Sequence, residues 1–248
     1  MKKSMARWLA AAAAVVIVTA ALTACGSPAP DDSTAAEAQN SLAAEKQNSI
    51  AEKIKKDKAD TKVKAFIVKQ IDLSAYRQSG ELFNAQNASS VLLPKSVKYA
   101  DGNVFALGNK YKTMVDKGYS SDRDNEKLKA HTISVNMETQ NKKNERIAIT
   151  MRNASDDDKE MQACDIVTLK YYTDAKRICE DFDYKGVTKD SKLKDILEAF
   201  GKTPDTLVLS ESQQQAVLTY KDKTSGITLE IQYNTQEDKI NTFRLNMQ

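Results

Sequence analysis

The feature of this sequence that most restricts its fold is a change of hydrophobic period near residue 204. Before that point one segment repeats apolar residues every three or four positions, and after it four segments alternate apolar and polar residues. The longer period is typical of an amphipathic helix, and alternation is typical of a strand with one buried face. The C-terminal part is therefore predicted to be a helix followed by an antiparallel meander with one solvated face.

The predicted helix lies in DSKLKDILEAFGKTP, residues 190–204. Asp190 or Ser191 is expected to cap its first turn. Gly201 can adopt the backbone that ends a helix, and Pro204 cannot continue one. The apolar stripe consists of Leu193, Ile196, Leu197 and Phe200, and the strands that follow are predicted at residues 206–210, 215–221, 226–233 and 239–247.

The same order of elements is predicted upstream. Tyr111, Met114 and Val115 share a helix face that Gly118 ends, and they align with the later apolar stripe at a constant offset of 82 residues. This offset predicts an internal duplication. The fold class is therefore predicted as α+β, with two tandem helix-plus-antiparallel-meander modules. The modules cover residues 63–185 and 186–248, and the strands of the first are expected at residues 131–138, 146–153 and 165–172.

The N-terminus has the organisation of an export signal. Three basic residues precede an uncharged run over residues 8–22, which is shorter than the about 20 apolar residues that span a bilayer. The run ends in LTAC, residues 22–25, which resembles a bacterial lipobox. The resemblance implies cleavage of residues 1–24 between Ala24 and Cys25, and a diacylglycerol thioether on Cys25. An ordinary signal peptide with an incidental cysteine and an uncleaved anchor are the alternatives.

A lipidated Cys25 predicts the protein's location. Two acyl chains give stable tethering because each buried CH₂ contributes about 0.8 kcal/mol. We expect a cell-membrane protein, lipid-anchored on the extracytoplasmic face. Residues 25–62 have no aromatic residue and only three large aliphatic ones, so they are predicted to be a flexible or partly helical tether.

The charge of the chain argues against nucleic acid as a partner. The chain has 37 basic and 34 acidic residues, and residues 1–24 contain three basic residues and no acidic one. Without residues 1–24, the chain has equal numbers of basic and acidic residues. A neutral body has no strong long-range attraction to a phosphate backbone.

The segment GVTKDSKLKDILEAFGKTPDTL, residues 186–207, and the strands after it resemble the β-lactamase-inhibitor-protein-like fold. Gly186, Phe200, Gly201 and Pro204 carry this resemblance, with an extra Thr203 before the proline. Tandem copies of this fold behind a lipoprotein leader occur in surface lipoproteins of Gram-positive bacteria. Because members of the family mostly bind proteins, the resemblance implies a protein-interaction module.

No residue pattern predicts catalysis. His131 is the single histidine, and the chain has no Gly-x-Ser-x-Gly, H-E-x-x-H or Walker motif, so any triad would have to use that one ring. We predict no catalytic residue, no metal site, no cofactor and no enzymatic activity. Asp122, Asp124 and Glu126 begin like a calcium loop but lack its Gly and closing Glu.

Cys164 and Cys179 are the remaining cysteines. Disulfides persist in exported proteins, and a bond across 14 intervening residues would contribute about 3 kcal/mol. Two free buried thiols are the alternative, because a hairpin that turns at residues 173–176 would not place the two cysteines opposite each other. Both states stay open.

The function predicted from these features is that of a membrane-anchored extracytoplasmic lipoprotein that binds another envelope or extracellular protein. The alternative is a cell-wall-active hydrolase or a small-ligand-binding lipoprotein. That alternative requires converging carboxylates, for which Asp181, Asp183 and the acidic loop 156–158 are the candidates. Core and strand packing is expected for the aromatic residues, and an aromatic contact face is the alternative; the set is Tyr171, Tyr172, Phe182, Tyr184 and Tyr220.

Overall fold

The computed structural model describes residues 62–173 and 181–247, all of which belong to one compact unit, Ser49–Gln248. The helices are α1 (residues 62–67), α2 (Lys112–Val115) and α3 (Leu193–Phe200), with short 3₁₀ turns at Leu73–Ala75 and Met161–Ala163. The strands are β1 (Tyr76–Ser79), β2 (Leu82–Ala85), β3 (Ser96–Tyr99), β4 (Val104–Ala106), β5 (Lys127–Leu128), β6 (Thr132–Ile133), β7 (Met137–Gln140), β8 (Arg146–Asn153), β9 (Lys159–Glu160), β10 (Asp165–Tyr172), β11 (Phe182–Asp183), β12 (Thr206–Ser210), β13 (Gln215–Asp222), β14 (Ile227–Asn234) and β15 (Lys239–Met247).

The predicted fold class is wrong: the protein is mostly β, with few helices. Ten strands form one antiparallel sheet in the order β1-β2-β12-β13-β14-β15-β10-β8-β6, and β7 also pairs with β8. This large sheet contains strands from both predicted modules, because β15 pairs with β10 through registers such as Leu245 with Leu169. Two smaller sheets, β11-β3-β4 and β5-β9, complete the described strands.

The internal duplication fails in its first half. The helix predicted around Tyr111 is only the single turn α2, whereas α3 has eight residues. The strand expected at residues 131–138 is interrupted between β6 and β7, and both of these short strands pair with β8. The strands predicted at 146–153 and 165–172 are confirmed as β8 and β10. Local alternation was therefore a good guide to the long strands and a poor one to the arrangement.

The helix and strands predicted for residues 190–247 are confirmed, although the α+β fold class inferred from them is wrong. The apolar stripe of α3 is buried, and β12 to β15 form a continuous antiparallel meander. The cap of α3 differs from the prediction. Asp195 accepts a hydrogen bond from the N–H of Lys192 at 2.8 Å, and the Tyr233 hydroxyl accepts one from the N–H of Leu193 at 3.0 Å.

An aromatic cluster forms the middle of the core. Phe182 of β11 stacks on Phe243 of β15 at a centroid distance of 4.4 Å, and Tyr184 contacts both Phe243 and Phe200 of α3. These rings join the small sheet, the helix and the large sheet through one set of contacts. Burial of such rings is a large contribution to folding, about 1.5–3 kcal/mol for each fully buried Phe.

Gly201 ends α3 with a φ of 103°, which favours glycine. A Cβ at this position would lie 2.4 Å from the Cβ of Ser89. Ser89 in turn donates its N–H to the Thr203 carbonyl at 2.8 Å, and its hydroxyl accepts the Thr203 N–H at 3.0 Å. The glycine is therefore required both by its backbone and by the close approach of the loop that contains Ser89.

None of the helices in residues 62–173 and 181–247 is long and apolar enough to cross a membrane. The predicted leader, the cleavage site between Ala24 and Cys25, and the lipidation of Cys25 lie outside these residues, so they stay predictions.

Candidate functional site

The large sheet has one covered face and one open face. In β14 the apolar side chains Ile227, Leu229 and Ile231 are completely buried, while Thr228, Glu230 and Gln232 between them are partly exposed. The same alternation holds along β12 and β13. We call the side of the sheet that presents these polar residues the open face. It continues into β15 and β10, where Arg244 and Lys170 are in register with Glu230, although the registers shift between Gln232 and Tyr233 and between Ile166 and Thr168.

Two cations lie directly opposite each other near the middle of the open face. Lys170 of β10 pairs in register with Arg244 of β15, and Arg244 pairs in register with Glu230 of β14. Like charges at directly opposed positions of an antiparallel pair are destabilising. In the described part of the chain, neither Lys170 nor Arg244 makes an ion pair with Glu230 within 4.0 Å. The cross-strand attraction of Glu230 for Arg244 offsets part of this repulsion, whereas Lys170 has no carboxylate within ion-pair distance among the described residues.

The side chains around this pair fix its geometry. The Arg244 Nε donates to the Asn246 Oδ1 at 3.0 Å, and the Thr168 hydroxyl donates to the same oxygen at 2.9 Å. The Lys170 ammonium lies 5.4 Å from the centre of the Tyr172 ring, within the range of a cation–π contact. The two positive groups are therefore held at the surface of the open face.

A shallow polar cleft adjoins the same face where β7 pairs with β8. Glu138 accepts hydrogen bonds from Arg146 at 2.8 Å and from the Tyr172 hydroxyl. Both Glu138 and Arg146 line the cleft, which has a volume of about 350 Å³ and is completed by Ser120, Ser121, Asp122 and Gln140. Because Arg146 is neutralised by Glu138, this cleft differs from the unneutralised Lys170–Arg244 pair.

The edge of the open face is apolar. Ile133 of β6 pairs in register with Arg152 of β8, and Ile133 and Val135 are 54% and 66% exposed. These are two of only five large aliphatic side chains in the described chain with such exposure. An exposed aliphatic pair beside charged residues is a composition that protein interfaces use.

Of the two cysteines considered for a disulfide, the structure describes Cys164. Cys164 is a free, buried thiol that donates to the Glu160 carbonyl at 3.4 Å, and burial raises the pKa of this thiol. A buried thiol with a raised pKa is a poor nucleophile. Cys179 lies outside the described residues, and Cys164 forms no disulfide within them.

The calcium-like segment is occupied by protein contacts. Asp124 accepts hydrogen bonds from the Tyr111 hydroxyl at 2.5 Å and from the Ser121 N–H at 3.1 Å. Glu126 binds Arg123 at 2.7 Å. Within the described ranges there is no group of three His, Cys, Asp or Glu side chains that could hold a metal ion.

Four of the five carboxylates considered for a hydrolase, all except Asp157, have separate partners. Asp156 lies 2.9 Å from the His131 ring and Asp158 lies 2.6 Å from Lys129. Asp181 lies 3.6 Å from Lys189, and Asp183 accepts the N–H of Gly186 at 2.9 Å. The structure therefore pairs these carboxylates individually rather than as a catalytic set.

Core packing is confirmed for four of the five aromatic residues for which it was expected. Tyr171, Phe182, Tyr184 and Tyr220 are buried, and only Tyr172 reaches the open face. Sequence reasoning missed Lys170 and Arg244 as functional candidates. The alternation within DIVTLKYY and KINTFRLNM placed each on a solvated face, but their opposition depends on a register between strands 74 residues apart.

Comparison of the chain with protein-family models, with curated proteins and with solved structures found no match.

Proposed function

We propose that this chain is a lipid-anchored protein of the extracytoplasmic envelope that binds another protein through the open face. Two separate arguments support the two parts of this proposal. The location is supported by the signal-like N-terminus that ends in LTAC, and the binding role is supported by the composition of the open face.

The observation that carries the binding role is the Lys170–Arg244 pair. These cations are directly opposed in register and held at the surface by Tyr172 and Asn246. A partner carboxylate placed between them would remove their mutual repulsion and gain two charge-assisted hydrogen bonds. Arginine is also one of the residue types enriched at the energetic centres of interfaces.

The rest of the open face suits a protein partner. Hydroxyl and amide side chains, such as Thr219 and Gln232, project from regular strands whose opposite side chains are buried. A rigid support of this kind lowers the ordering cost of binding. The exposed pair Ile133 and Val135 adds apolar area at the edge of the same face.

The binding role is tested by charge inversion at the pair. The double variant Lys170→Glu/Arg244→Glu keeps two like charges in opposition but also places a carboxylate opposite Glu230, so its folding is verified by circular dichroism before the binding test. Chemical crosslinking in intact cells, followed by affinity capture and mass spectrometry, should recover a partner with the wild type and lose it with this variant. The matched control Lys194→Glu/Lys202→Glu inverts two exposed charges near α3 and should keep the partner.

Two results would contradict the proposal. One is an unchanged partner set in the open-face double variant, and the other is an equal loss in the control variant. The lipid anchor has its own test, because the intact mass of the membrane-extracted protein should show residues 1–24 removed and a diacylglycerol on Cys25. A Cys25→Ala variant with the same mass shift would contradict the anchor and leave the binding test unaffected.

A further inference from the structure

A second cleft lies at the end of the large sheet where β8 ends and β10 begins. Its volume is about 220 Å³. Three cations and one carboxylate line it: Lys110, Arg152, Lys159 and Asp165. The remaining wall is small and polar and includes Asn153 and Ser155.

Only one of the three cations forms an ion pair with the single carboxylate. Arg152 and Asp165 are cross-strand partners, and Lys110 forms an isolated bridge on the other side of Asp165. The Lys110 ammonium forms an ion pair with the Asp165 carboxylate at 2.6 Å. Neither Arg152 nor Lys159 makes an ion pair with any residue in 62–173 or 181–247. The cleft therefore keeps two positive charges that the described protein does not neutralise.

The walls of the cleft are fixed by buried hydrogen bonds. Asn153, 2% exposed, donates its amide to the carbonyls of Leu128 at 2.9 Å and Asp157 at 2.8 Å. Its side-chain oxygen accepts the N–H of Ser155 at 3.1 Å and the hydroxyl of Ser155 at 2.7 Å. One buried side chain thus sets the shape of the loop that follows Arg152.

The opposite wall is fixed in the same way. The N–H of Tyr111 donates to the Cys164 carbonyl at 3.0 Å, and the N–H of Ile166 donates to the Asn109 carbonyl at 2.8 Å. These bonds hold the segment that contains Lys110 against the start of β10. Both sides of the cleft are therefore built before any ligand arrives, which reduces the cost of binding.

We infer that this cleft binds a phosphate group, held by the Arg152 guanidinium and the Lys159 ammonium, with Lys110 shared between the phosphate and Asp165. The guanidinium fork matches two oxygens of a tetrahedral oxyanion, and an ammonium binds a third as a point charge. Asp165 holds Lys110 in position and limits the net charge of the empty site. This inference does not depend on the protein partner proposed for the open face.

The phosphate can belong to a small molecule or to a lipid headgroup, and two measurements separate these sources. The first is the ³¹P transverse relaxation rate of inorganic phosphate and of glycerol phosphate, titrated with the full chain at constant ionic strength. The second is co-sedimentation of the full chain in its Cys25→Ala form, which cannot carry the proposed lipid anchor, with phosphatidylglycerol/phosphatidylcholine vesicles and with phosphatidylcholine vesicles alone. Faster relaxation of glycerol phosphate without preferential sedimentation on the anionic vesicles identifies a small ligand, and sedimentation on the anionic vesicles that glycerol phosphate displaces identifies a headgroup.

The double variant Arg152→Gln/Lys159→Gln tests the site in both measurements. We expect its apparent Kd to rise by at least about tenfold, because two charge-assisted contacts are lost. The control Lys194→Gln/Lys202→Gln removes the same charge elsewhere and should leave Kd within about twofold of the wild type. Thermal unfolding by circular dichroism verifies that both variants are folded.

Two outcomes would overturn the inference. One is a wild type that neither changes the phosphate relaxation nor sediments with the anionic vesicles. The other is an equal rise in Kd for both double variants, which would show general attraction to surface charge. A failure here leaves the crosslinking test of the open face intact, so the two proposals are separable.

Discussion

The two faces of the large sheet differ in composition, although they belong to the same strands. On the covered face Leu229, Ile231 and Phe243 are at most 1% exposed, and Phe243 contacts the rings of Phe182 and Tyr184. On the open face the alternating positions carry hydroxyl, amide and charged side chains, including the opposed Lys170 and Arg244. The covered face therefore determines stability, and the open face is free to hold an arrangement that folding does not favour.

The largest expected effect is a difference in the free energy of unfolding between alanine variants on the covered face and on the open face. Phe243→Ala removes a ring that contacts both Phe182 and Tyr184, and should lower the free energy of unfolding by about 3–5 kcal/mol. Gln232→Ala on the open face should change it by less than about 0.5 kcal/mol. Urea unfolding followed by circular dichroism measures both values, and similar losses in the two variants would break the comparison.

The next effect concerns the end of α3. Gly201→Ala combines an unfavourable φ of 103° with a Cβ position only 2.4 Å from Ser89, and should cost about 2–4 kcal/mol. Gly226→Ala is the matched control, since Gly226 has a φ of 69° and no atom within 4 Å of its added Cβ. Its cost should be only about 1 kcal/mol. Equal costs would show that the contact with Ser89 has no energetic weight.

A smaller effect depends on pH. Asp222 is 5% exposed, and the Leu93 N–H, together with N–H groups of the following turn, lowers the pKa of its carboxyl to about 2. Because the folded pKa lies below the unfolded value, the stabilisation is complete above about pH 4. It is lost as the pH falls from about 4 towards 2.

Asp222→Asn should therefore be less stable than the wild type at pH 7, and the difference should narrow between pH 4 and 2. The measurement is the melting temperature of both proteins across that range. Curves that stay parallel down to pH 2 would contradict the role given to the ionised carboxylate.

The smallest expected change in stability is at the opposed pair itself. Lys170→Glu replaces a repulsion with an attraction to Arg244, so the free energy of unfolding should rise by about 0.2–1 kcal/mol. Lys142→Glu, in the exposed turn between β7 and β8, should give no such rise. A loss of stability in Lys170→Glu would mean that the pair serves the fold, and the argument for a binding role would fail.

The long central strands and α3 could be predicted from the sequence because each has a strong local period. β8 and β10 were located from the alternation of their own residues, and α3 from its apolar stripe. β1 and β2 were missed because each has only four residues, too few to show a clear alternation of apolar and polar side chains. They are strands because β2 pairs with β12, more than 120 residues away.

The candidate site was less predictable than the fold for the same reason. That Lys170 is opposed to Arg244, and that Arg152 lies beside Asp165 and Lys110, follows from registers between distant strands. Residue types gave only the weaker statement that these positions are solvated. The α+β class failed because the pairing of β10 with β15 joins the two predicted modules into one sheet.

Site-specific photocrosslinking in living cells tests the central claim, that the open face is the binding face, most directly. A photoreactive residue at Gln232, on the open face, should yield a discrete crosslinked adduct that mass spectrometry identifies as a protein. The same residue at Lys194, on the exposed side of α3, should yield none. An adduct only at Lys194, or no adduct at either position, would contradict the assignment of the open face as the binding surface.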